Sequence, residues 1–213
     1  MWDFGFRLNR TSAPLSDRFS RNLKSHIHNQ YRPMTPQILQ HLDRLDASLN
    51  TLFEWLLQED PSYLDQKLSP ERWSVYEVMQ HLMLSEGNSL KYLRKKSLGL
   101  ADLQPAGFRT GFRVWLLELI MRSPIKFKAP KGAGVEVFVP VESFAALSGQ
   151  WQKQREELRQ FLSELPQEIF DKEVYRHPRS GMLSIEGMLR FFQVHFDRHH
   201  KQMKRILKEV KPL

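Results

Sequence analysis

The chain of 213 residues contains no cysteine. That absence removes disulfides, thiolate zinc sites and cysteine nucleophiles together, so any metal must be held by nitrogen or oxygen. Long apolar runs are missing as well. The longest, Val114 to Met121, is interrupted by Glu118 and falls far short of the roughly 20 residues that a membrane-spanning helix needs. No transmembrane segment is expected. Residues 1–30 carry Arg7, Arg10, Arg18, Arg21 and Lys24 but also Asp3 and Asp17, without the continuous apolar stretch of a secretory signal. A cytoplasmic location is therefore expected. Acidic residues are in deficit, 24 against 32 Lys and Arg, which leaves a formal net charge of +8. The basic residues are dispersed and no nucleic-acid motif accompanies them, so nucleic acid is not an expected partner.

What the chain has is helical periodicity. Thr35-Pro36 offers an N-cap followed by proline at the first helical position, and Ile38, Leu42, Leu45, Leu49, Leu52 and Leu56 then repeat at alternating four- and three-residue steps. A second start signal lies at Ser69-Pro70, reinforced by Ser74 and Glu77 in capping-box spacing. Val75, Val78, Met79, Leu82 and Leu93 continue that stripe to about Lys95. A third stripe contains Phe144, Leu147, Trp151, Leu158, Phe161 and Leu165 and stops at Pro166. Gln154 and Arg155 interrupt it and are expected on the helix surface. Ser184 caps a fourth stripe of Ile185, Met188, Leu189, Phe192, Phe196, Met203, Ile206, Leu207 and Val210. The expected fold is all-α, a four-helix bundle with a long crossover segment between the second and third helices. Residues 33–213 form the expected bundle domain and residues 1–32 an N-terminal extension.

The crossover, residues 97–140, is punctuated by Gly99, Pro105, Gly107, Pro124, Pro130, Gly132, Gly134 and Pro140. Inside it Phe108, Phe112, Trp115, Leu116, Leu119 and Ile120 predict one apolar face of a short helix, with Arg109, Arg113 and Arg122 nearby. Packing of that face on the bundle is favoured over binding at a membrane surface.

The chemistry concentrates on histidine. His195 and His199 occupy positions in the fourth stripe where the spacing calls for apolar side chains. Four residues separate two side chains by only about 40° around a helix and one turn along it, so both imidazoles can point at one ion. The alternative is a pair of core histidines that hydrogen-bond internally. His81 lies at the edge of the second stripe, where it is either a third ligand or a boundary histidine, and Glu77 one turn before it either orients its ring or caps the helix. Three protein nitrogens leave an open coordination position, the arrangement of a catalytic metal. His200 is rotated by about 100° from His199 and is expected to face solvent. His177 precedes a proline in a turn and is expected to be structural. Glu86, on the helix of His81, is a candidate general base, although five residues rotate it by about 140° from that ring.

Three pieces of the chain, Trp73-Ser74-x-x-Glu77-x-x-x-His81-Leu82, His177-Pro178-x-x-Gly181-x-Leu183-Ser184 and His195-x-x-Arg198-His199-x-x-Gln202, resemble in order and spacing the DinB-like, or YfiT-like, metal-dependent bundles, also described as thiol-transferase-like proteins. The resemblance spans roughly residues 35 to 208. It implies that His81, His195 and His199 hold a divalent metal ion, with zinc or nickel ahead of iron. It further implies a small-molecule substrate, such as a low-molecular-weight thiol, and a transferase or hydrolase activity. The competing expectation is a non-enzymatic helical ligand-binding or stress-response module. A homodimer is compatible with the sequence but does not follow from it.

Overall fold

Each of the four stripes forms a helix, and three of the helices start at a cap expected from the sequence. In the computed structural model, which describes residues 34–99, 102–125 and 134–211, helix α1 spans Pro36–Leu56 and the Thr35 hydroxyl accepts from the Ile38 amide. A five-residue helix α2, Pro61–Asp65, follows under the Asp60 carboxylate. Helix α3 covers Val75–Lys96. It begins at Ser74 rather than at Ser69-Pro70, because Ser74 and Glu77 cap one another reciprocally, the Ser74 amide donating to Glu77 Oε2 at 3.0 Å and the Glu77 amide to Ser74 Oγ at 3.2 Å. Helix α4, Phe108–Arg122, lies in the crossover. Helix α5, Phe144–Ser163, is capped by Ser143, and helix α6, Ile185–Val210, by Ser184. Between α5 and α6 a two-stranded antiparallel hairpin joins β1, Tyr175–His177, to β2, Gly181–Leu183. Its turn closes on Gly181, whose φ of 77° lies in the left-handed region that favours glycine. The expected N-terminal extension, residues 1–32, lies outside the described residues. Among the described residues no helix is long and apolar enough to cross a membrane.

The long helices α1, α6, α3 and α5 pack in that cyclic order, with α5 returning to α1. Their apolar side chains form two clusters. The first takes the N-terminal part of α1 and α6 and the C-terminal part of α3 and α5; the second takes the opposite parts. Helices α1 and α6 therefore run one way, and α3 and α5 the other. Neighbours α3 and α5 are parallel, and a parallel pair requires the chain to travel back along the bundle between them. This is the physical reason for the long crossover. Its strand-like stretch is tied down by the Ala106 and Glu173 amides, which donate to the carbonyls of Asp171 and Gln104, each at 2.8 Å.

Helix α4 packs on α6 and β2, but with a different face from the one periodicity selects. Thr110, Val114 and Leu117 are buried, whereas Phe108, Phe112, Trp115, Leu116 and Leu119 are exposed and Ile120 is half-buried. The approach to α6 is close at Gly187, where an added Cβ would stand 2.7 Å from a Val114 methyl. Glu118 and Arg190 complete the contact with a two-point ion pair at 2.8 and 3.0 Å.

Between the two apolar clusters the bundle carries a polar layer. Arg155, expected on the surface of α5, is 4 % exposed and points inward. Its Nε and Nη2 donate to the two oxygens of Glu86, each at 2.6 Å, and Trp151 Nε1 donates to the same carboxylate at 2.9 Å. An arginine can be buried there because a carboxylate from α3 meets its planar fork. Gln154 is half-buried and donates to the Met83 carbonyl at 2.8 Å.

Two outcomes follow for stability. Removing either partner of the buried pair, Glu86→Ala or Arg155→Ala, is expected to cost about 3–5 kcal/mol in urea unfolding, while Glu86→Leu combined with Arg155→Met regains most of that loss. Gly187→Ala is expected to destabilise by about 1–3 kcal/mol in the same assay, despite the higher helix propensity of alanine, because its Cβ would stand 2.7 Å from a methyl of the buried, β-branched Val114.

Candidate metal centre

Antiparallel packing of α3 against α6 brings His81 beside the two histidines of α6. His81 Nε2 lies 3.1 Å from His195 Nε2, and the ring centroids of the trio are separated by 5.0 Å (His81 to His195), 4.7 Å (His81 to His199) and 4.6 Å (His195 to His199). One nitrogen from each ring falls within 4.8 Å of the others, a group able to hold a metal ion. A tetrahedral ion with nitrogen ligands at roughly 2.0–2.1 Å sets those ligands about 3.4 Å apart, a value close to the 3.1 Å between His81 and His195. His81 and His195 are buried and His199 is half-buried.

The surroundings prepare the rings as ligands. Burial, reinforced by His199 and His81, holds the His195 imidazole well below its ordinary pKa. Burial beside His81 pushes His199 down to about 3. Both rings are therefore neutral near neutral pH and carry the lone pair that ligation needs. His199 Nδ1 donates to Gln202 Oε1 at 2.9 Å, which leaves its Nε2 as the unprotonated nitrogen. Aromatic walls fix the ring planes. Phe191 stacks on His195 at 5.1 Å and 17°, and Trp73 stands 5.0 Å from His81 and stacks on His199 at 6.4 Å and 17°. Phe191 precedes His195 by one turn, and Gln202 follows His199 by three residues on the same helix. Their helical spacing was the available signal for both roles.

The trio lies at the wall of an open cavity of about 2030 Å³. Tyr92, Tyr175 and His177 line it, as do Arg198, Lys201 and Arg205 of α6. Arg198 donates to the carbonyls of Met121, in the last turn of α4, at 3.0 Å and of Ser123, just after it, at 2.8 Å, and also to that of Ile125. The family model of the DinB superfamily matches residues 30–203, most of the chain and all three histidines. The chain belongs to the DinB superfamily. No curated protein and no solved structure matches it.

The other candidates in this DinB superfamily chain take different places. Glu86 is spent on Arg155 and Trp151 and is not free to act as a base beside the trio. Glu77 caps α3 and pairs with Lys67 at 2.6 Å. His200 does not face solvent as expected. It is half-buried against Trp55 and Phe196, at ring distances of 5.4 and 6.0 Å, and stands outside the histidine trio. His177 is structural in that its Nδ1 accepts from the amides of Arg179 at 3.3 Å and Ser180 at 3.1 Å, closing the hairpin turn. It is also a cavity-lining residue, its ring 4.5 Å from Phe191.

His177 carries a pH dependence. Burial, with Arg179 adding to it, pushes its pKa down from 6.5 to about 4. Between those values the unfolded chain binds a proton there that the folded protein does not, so stability falls as pH drops through that window and is fully present above it. In His177→Asn, whose Oδ1 can stand where Nδ1 accepts, the loss of unfolding free energy between pH of about 7 and 4.5 is expected to be smaller than in the wild type. An identical pH slope in chemical denaturation would assign the titration to other groups.

Proposed function

We propose that the protein is a divalent-metal enzyme in which His81, His195 and His199 hold zinc or nickel, with iron the third candidate. The reading assigns it a transferase or hydrolase activity on a small-molecule substrate, with a low-molecular-weight thiol or water as nucleophile. The observation that carries it is the convergence of three imidazoles, two of them held neutral by burial, on the wall of a cavity wide enough for a substrate. Three ligands from the protein leave a position open. When bound, the cation supplies Lewis-acid polarisation and lowers the pKa of a thiol or water presented to that position.

The chain's own residues do the rest. Gln202 keeps the His199 proton on Nδ1, and Trp73 and Phe191 hold the rings in plane and shield them from water on the sides they cover. Tyr175, whose pKa burial pushes up to about 12, keeps its proton and sets its hydroxyl 3.1 Å from that of Ser89 along the cavity wall. In this reading residues 33–213 are the metal-binding bundle domain, residues 1–32 are an extension to it, and the cysteine-free chain works in the cytoplasm.

The test is elemental analysis of the purified, untagged protein beside a His195→Ala/His199→Ala variant, both confirmed as folded by circular dichroism. Close to one zinc, nickel or iron per chain is expected in the wild type and less than about a tenth of that in the variant. Equal, negligible metal in both after reconstitution would refute the metal centre and favour a non-enzymatic ligand-binding module.

A further inference from the structure

Helix α4 is apolar on two opposite sides. One side, Val114 and Leu117, is buried against α6 and β2. On the other, Phe108, Phe112, Trp115 and Leu119 follow at four-, three- and four-residue steps, which at about 100° per residue confines them to an arc of about 60°. They are 90 %, 52 %, 53 % and 54 % exposed, and the rings of Phe112 and Trp115 sit 5.7 Å apart. Ile125, 54 % exposed, continues the strip beyond the helix end. A helix that is apolar all round is one covered on both sides, and a contiguous exposed patch of this kind marks a contact surface.

The charges bordering the strip decide what covers it. Arg109 and Arg122 are exposed near its two ends. The one acid of the helix, Glu118, is half-buried and held by Arg190. Pairing two such faces across a two-fold axis would set four guanidinium groups along one apolar seam with no carboxylate from either helix to neutralise them. An anionic lipid surface supplies what that pairing lacks: phosphates at the level of the arginines, and an apolar layer beneath them for the aromatic rings. Tryptophan suits that boundary. The formal net charge of +8 attracts the whole molecule to the same surface.

We propose that the outward face of α4 docks on an anionic membrane surface, with Phe108, Phe112, Trp115 and Leu119 entering the headgroup boundary and Arg109 and Arg122 pairing with lipid phosphates. The inference does not depend on the metal centre.

Co-sedimentation of the full chain with vesicles tests it, using phosphatidylcholine alone and phosphatidylcholine mixed with phosphatidylglycerol at about 100 mM salt. The wild type is expected to bind the anionic vesicles at least about tenfold better than the neutral ones. Both Phe112→Ser/Trp115→Ser/Leu119→Ser and Arg109→Glu/Arg122→Glu are expected to lose at least about tenfold of that binding. Because these side chains are exposed, the melting temperature should barely change. Absence of vesicle binding, or binding that both variants retain, would overturn the proposal. So would a concentration-dependent dimer, seen by light scattering and abolished by the triple substitution, in a protein that ignores vesicles, since the face would then belong to a second copy.

Discussion

Polar and ionisable side chains can enter the middle of a helical bundle only where partners from other helices arrive at the same height, because each buried group left alone costs several times what a satisfied one contributes. Here the apolar core is split in two, and between its halves lie Glu86 and Ser89 on α3, Arg155 on α5, and Gln193 and His195 on α6. Asp46 and Ser48 of α1 meet this layer from the fourth side, Asp46 at 3.9 Å from Arg155 and Ser48 at 3.2 Å from Gln193. Register among the four helices is thus constrained by chemistry as well as by shape. A shift of one turn would leave Arg155 without its carboxylate, with a penalty larger than most single packing defects.

The candidate metal centre occupies the edge of this layer that opens to the cavity. Within it the Glu86 carboxylate faces Arg155 and the histidines face one another, so the two sets of partners do not compete. Separate partnering explains how one bundle carries both a buried ion pair and three imidazoles able to hold a metal ion. It also explains why Glu86, although on the same helix as His81, belongs to the scaffold.

Local signals carried much of this into the sequence. Thr35, Ser74 and Ser184 start helices because each has a hydroxyl and a following apolar period, and both are visible in a short window. The spacing of His195 and His199 is likewise local. The inward turn of Arg155 was not legible, since what makes it tolerable is Glu86, distant in the chain and on another helix. The buried side of α4 was hidden for a related reason. Its two apolar faces lie opposite one another and periodicity selects the larger, whereas the close approach of Gly187 to Val114 sets the smaller one, with Leu117, against the bundle. His200 misled in the same way, because Trp55, which covers it, comes from α1.

The wiring of the bundle sets an order in time. With α1 and α6 parallel and both histidines of the ligand pair on α6, the final helix closes the core and supplies two of the three ring nitrogens. During synthesis, a chain that has not yet emerged past Ile185 holds only His81 of the three, with Leu82 and Met79 lacking the apolar partners that α6 brings. Until α6 is added the chain therefore has no set of three imidazoles able to hold an ion, so the candidate site comes into being together with the packing of α6 on α3.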